Sequence, residues 1–136
     1  AGWYQYTANG VKDIDPVIEA MIKETATSAA VNRRIFTPTD IQNRLTLAMI
    51  NEAANILFDG IAASAADIDL VLVHGYGFPR WRGGLLHYAD QIGVDRLLSM
   101  LRMCEAEDPL VWRPSPVIVG CADAKISLAD WRFQDH

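Results

Sequence analysis

Apolar residues recur at helical spacing along most of this 136-residue chain. From about Asp15 to Ala30, Val17, Ile18, Met21 and Ile22 fall on one side of a helix whose first turn carries Pro16, where a missing N–H costs little. Thr37-Pro38-Thr39-Asp40 supplies a capping threonine, a proline at the first helical position and an acid three residues after the cap. It predicts a long helix to about Asp59, stopped by Gly60. Ser64-Ala65-Ala66-Asp67 repeats the capping logic and opens a short helix to about Val73. Leu85 to Ile92, closed by Gly93, reads as another, and Val94 to about Glu107 as the next, with Leu97, Leu98, Leu101 and Met103 as its apolar content. Pro109, Pro114 and Pro116 break the pattern, and Ser115 can cap one more short helix through Cys121. Leu70 to Val73 is the one competing strand, too isolated to build a sheet. The expected architecture is all-α, six or seven helices forming a single domain over residues 1–136.

One segment resists this periodicity. Gly75 to Gly84, GYGFPRWRGG, holds four glycines, a proline and two arginines flanking a tryptophan. Such a composition makes a shaped turn rather than a helix. Arg80 and Arg82 could hold an anion there, with Trp81 on a ring or in a partner's pocket. Equally, the turn could serve only to dock two helices closely. On the long helix, Ile41, Leu45, Ala48, Met49, Ala53 and Ile56 form one stripe with Glu52 near its middle, so Glu52 is expected to be buried. A buried carboxylate needs donors, and the glycine-rich turn is the expected source of them. Acid/base catalysis by Glu52 is the alternative. Asn43 lies away from that stripe while Arg44 and Asn51 share a flank, so all three are expected to face solvent or a surface beyond this chain.

Composition narrows the function classes. A net charge of −5 and a pI near 5.0 argue against nucleic-acid or anionic-membrane binding. No apolar run reaches the ~18 residues of a spanning helix. Cys104 and Cys121 are expected as reduced thiols. His74, His87 and Asp90 fit no established metal-ligand spacing, and no nucleophile elbow, GxGxxG or GxxxxGK[ST] is present. The start, Ala1-Gly2-Trp3-Tyr4-Gln5-Tyr6, lacks methionine and clusters aromatics that need covering, which suggests a piece of a longer protein, with a processed natural terminus as the alternative. Trp112, Trp131 and Phe133 are expected to pack the tail down.

Several short motifs now occur in a specific order: Trp3-Tyr4-Gln5-Tyr6, Asn43-Arg44 with Asn51-Glu52-Ala53, Gly60-Ile61-Ala62 with Asp67-Ile68-Asp69, and GYGFPRWRGG with Tyr88, Asp90 and Gly93. Together they resemble the C-terminal domain of 3-hydroxyacyl-CoA dehydrogenases, a helical fold of the 6-phosphogluconate dehydrogenase C-terminal type. More closely, the chain is similar to the last helical domain of the multifunctional fatty-acid β-oxidation enzymes, which join an enoyl-CoA hydratase region to the dehydrogenase. The resemblance implies that NAD and the acyl-CoA substrate belong to the full-length protein, whose Rossmann domain carries the catalytic histidine and glutamate. This chain is then inactive alone, with no catalytic, cofactor or metal residues. Its expected partners are the preceding helical and Rossmann domains, with a homodimer open to the isolated piece. Asn43 matches the position of a site asparagine in the first helical copy and is read here as a relic of duplication. Asn43, Arg44, Asn51, Arg80, Trp81 and Arg82 are the interface candidates, and Glu52 the structural carboxylate. A bacterial cytoplasm is the expected location, with a peroxisome as the alternative, since Phe133-Gln134-Asp135-His136 is no import signal. The rival reading is a free-standing helical module that binds a CoA-type ligand or a protein.

Overall fold

A computed structural model describes residues 3–10, 12–31 and 33–132. The chain divides into two compact units, Ala1–Thr37 and Pro38–His136. In the first, β1 (Tyr4–Tyr6) pairs antiparallel with β2 (Lys12–Ile14), Tyr4 facing Ile14 in register, and Gly10 closes the turn by donating to the Thr7 carbonyl. The aromatic start is thus a small ribbon, which helical periodicity did not suggest. Helix α1 (Pro16–Ser28) follows, capped by Asp15, whose carboxylate accepts from Val17 N–H at 2.9 Å. None of its residues is buried, and Val17 is 63% exposed.

The second unit holds α2 (Pro38–Phe58), α3 (Ala65–Gly75), a 3-10 turn (Arg80–Arg82), α4 (Leu85–Ile92), α5 (Val94–Glu105), α6 (Pro116–Ala124) and a second 3-10 turn (Leu128–Asp130). These five α-helices and α1, with one two-stranded ribbon among the described residues, make the chain all-α as expected. Ends differ by a few residues from the sequence reading: α3 runs on into Gly75, α5 stops at Glu105, and α6 extends to Ala124. Helix α2 ends where Gly60 predicted. Ile61 N–H reaches the Ile56 carbonyl and Gly60 N–H the Leu57 carbonyl, the Schellman pattern that glycine's positive φ of 67° permits. Leu70–Val73 lies within α3 and is not a strand.

Ile50, Leu85, Leu86, Leu97, Leu101, Ile118 and Leu128 are fully buried and form the core with Leu47, Ala54, Leu57, Val117 and Cys121. This overturns the expected orientation of α2. Leu47, Ile50, Asn51, Ala54 and Leu57 turn inward, whereas Ile41, Leu45, Met49 and Glu52 are exposed. Apolar residues occupy both sides of this helix, so periodicity alone could not say which side meets the core. Glu52 makes a hydrogen bond with Asn55 of its own helix at 3.4 Å and does not receive the glycine turn.

That role belongs to Asp69 on α3. Its carboxylate is buried and accepts Leu86 N–H at 2.7 Å and His87 N–H at 3.0 Å, the free donors of the first turn of α4. Gly84 makes the approach feasible: a Cβ there would stand 2.2 Å from the Asp69 carboxyl carbon, and its φ of 142° is one that side chains avoid. A second acid repeats the device, since Asp90 on α4 accepts Leu128 N–H at 2.7 Å and Ala129 N–H at 3.1 Å. Cys104 and Cys121 are both buried free thiols. Trp112 and Trp131 pack against the core, with Trp131 over Gly120; Phe133 lies outside the described residues.

In urea unfolding, Gly84→Ala should cost more than about 2 kcal/mol through overlap and backbone strain. Asp69→Ala should cost about 2 kcal/mol by stranding two buried donors. Glu52→Ala should stay within about 0.5 kcal/mol; a large loss there would restore the buried Glu52. Burial pushes the Cys121 thiol from 9.0 up to about 11, helped by the carboxylates of Asp90 and Asp130. Between those values the unfolded thiol sheds its proton while the folded one keeps it, so stability falls as pH rises through that window. Cys121→Ala should flatten that decline when midpoints are compared across it.

Candidate interaction surface

Residues that periodicity assigned to the core line a surface groove between α2 and α3. Ala48, Met49, Ala53 and Ile56 form one wall, Ile68, Val71, Leu72 and Tyr76 the other, and Ile61 and Ala62 the end, around a volume of about 860 Å³. Leu45 is 62% exposed and Val71 58%. Two charges, Glu52 and Asp67, stand among these apolar walls. Capping orients the α3 wall: Ser64 Oγ accepts Asp67 N–H at 3.3 Å and donates to the Asp67 carboxylate at 2.8 Å. A contiguous apolar surface of this kind marks a contact site. Sequence reasoning missed it because an amphipathic stripe is identical whether its cover is a core or a partner. The one signal was redundancy, as α2 has too many apolar positions for a single buried face.

The six interface candidates separate by environment. Asn51 is buried, not solvent-facing: its amide donates to the Arg113 carbonyl at 2.9 Å and its oxygen accepts Ser115 N–H at 2.8 Å. An amide with both functions suits a site that needs one donor and one acceptor, and here it fastens the segment preceding α6 to α2. Arg44 is half-buried and grips Glu107 with one nitrogen on both oxygens, at 2.9 and 2.7 Å, with the Trp112 ring 5.8 Å away. Asn43 is exposed, at the rim of a small crevice with Leu47, Ile50 and Tyr88. Only the turn places its candidates outward together. Arg80 and Trp81 are exposed, and the Arg82 guanidinium lies 4.5 Å from the Trp81 ring and 4.1 Å from that of Tyr88.

Catalytic geometry is weak by comparison. The His87 backbone N–H serves Asp69 and its ring meets the Gln91 amide at 3.1 Å, while Asp90 is engaged with the Leu128 turn. Among the described residues no group of three His, Cys, Asp or Glu side chains is placed to hold a metal ion, and no helix is long and apolar enough to cross a membrane.

The family model for the 3-hydroxyacyl-CoA dehydrogenase C-terminal domain matches residues 41–126, from α2 through α6. The peroxisomal bifunctional enzyme of Danio rerio is 36% identical over 121 residues, which cover 86% of this chain and 17% of that protein. The human peroxisomal bifunctional enzyme is 34% identical over 110 residues, 79% of this chain and 15% of its own length. A glyoxysomal fatty acid beta-oxidation multifunctional protein of Cucumis sativus is 34% identical over 104 residues, 74% of this chain and 14% of its own. The chain therefore spans at most 17% of the length of these relatives. With the family model matching more than half of the chain and these relatives at least 34% identical over most of it, the chain belongs to the family of 3-hydroxyacyl-CoA dehydrogenase C-terminal domains.

Proposed function

We propose that this chain is the last helical domain of a multifunctional β-oxidation protein, and that its task is to pack against the preceding helical domain rather than to carry chemistry. The full-length protein would oxidise the 3-hydroxyl of an acyl-CoA by hydride transfer to NAD on its Rossmann domain. One observation carries this reading: the open α2–α3 groove, whose walls would be costly to leave in water. Asn43 is a relic on this reading, its amide in no catalytic constellation. Kinship with proteins named peroxisomal and glyoxysomal supports the peroxisomal alternative over a bacterial cytoplasm.

The isolated chain should give no turnover of acetoacetyl-CoA with NADH, and Asn43→Ala should change nothing. Turnover abolished by Asn43→Ala would overturn the assignment of chemistry to the rest of the protein. Val71→Asp, in the groove wall, should lower the melting temperature of the parent protein while leaving that of the isolated chain unchanged. Equal effects on both would mean that the groove has no partner.

A further inference from the structure

The guanidinium of Arg82 is held in place by its own chain. Its carbon sits 4.1 Å from the Tyr88 ring centroid and 4.5 Å from that of Trp81, so aromatic stacking restrains the plane of the group. Stacking uses the face of a guanidinium and leaves its in-plane N–H donors available. No carboxylate among the described residues takes them. Trp81 beside it is 79% exposed.

The surrounding backbone decides what this fork can accept. Phosphate sites draw on several free amides at a turn or helix start. Here four of the amides around the fork are committed: Arg82 N–H donates to the Pro79 carbonyl and Gly83 N–H to the Arg80 carbonyl, each at 3.0 Å, while Leu86 and His87 N–H bind Asp69, whose carboxylate already fills the start of α4. The Arg82 fork is the guanidinium that stacking holds beside an apolar ring, with Arg80 exposed on the same turn, and its two parallel N–H donors match the two oxygens of a carboxylate.

We propose that Arg82 is a docking fork for an aspartate or glutamate side chain of the preceding helical domain, with Trp81 covered by apolar surface next to that carboxylate. This rests on the reading that the α2–α3 groove meets the same domain. Tyr76 links the two features, being a groove wall and the residue on which α3 ends. Charge adds selectivity. The chain carries a net charge of −5, so an acidic partner group is repelled over most of the surface and welcomed at this tip, which fixes the register of docking.

The test mixes the chain with the remainder of the parent protein expressed without this domain. Affinity is measured by calorimetry, and the Arg82 Nε–H resonance is followed by NMR. That resonance should shift on mixing. Arg82→Ala should weaken binding about thirtyfold, and Arg82→Lys about tenfold, because an ammonium neither stacks nor forks. Binding retained in both variants but lost in Val71→Asp would overturn the fork and leave the groove reading standing. Absence of binding by the unaltered chain would sink both. Inorganic phosphate, added to the chain alone, should leave the resonance unmoved; a saturable shift would make the fork a phosphate receptor and refute the proposal.

Discussion

The arrangement of the second unit depends on one buried carboxylate. Asp69 leaves α3 and ends on the second and third amides of α4, so two helices that sequence separates by a nine-residue turn are fixed in angle and distance by a pair of charge-assisted hydrogen bonds. The contact is possible only because Gly84 has no side chain. Leu85, Leu86 and Ala89 are thereby directed into the core, where they meet Ile50, Leu97 and Leu128. The turn between the helices is free to extend outward because its ends are already secured.

The same logic appears twice more with different chemistry. Asp90 holds the Leu128 turn as Asp69 holds α4, and Asn51 bridges a carbonyl and an amide ahead of α6. Three polar side chains, each on one helix, organise the start of a later element. Hydrophobic burial supplies most of the driving force for such a unit, but it is nearly indifferent to the relative angle of its helices. The polar contacts are directional and remove that freedom.

How much of this was legible in the residues follows from the kind of signal involved. Local chemistry was readable: Ser64 and Ser115 cap as their spacing predicts, Gly60 and Gly93 end their helices, and the glycine turn does accept a buried carboxylate. The identity of that acid was not readable, because Glu52 and Asp69 both lie on helices with apolar neighbours and only the packing separates them. Nor could periodicity distinguish the inner face of α2 from the outer one. The error was nonetheless informative, for Ala48, Met49, Ala53 and Ile56 of the stripe mistaken for core line the open α2–α3 groove. The ribbon of Tyr4–Tyr6 and Lys12–Ile14 was missed for a simpler reason: three residues per strand give too short a run for alternation to register.

The hold of Asp90 on the Leu128 turn bears on where this structural unit stops. The family match ends at residue 126, yet Leu128 is among the most deeply enclosed side chains of the core. A segment trimmed to residues 41–126 would open a leucine-sized hole beneath α4 and deprive Asp90 of both its donors at once. The physical border of the fold therefore lies beyond the family match, after the turn that Asp90 closes.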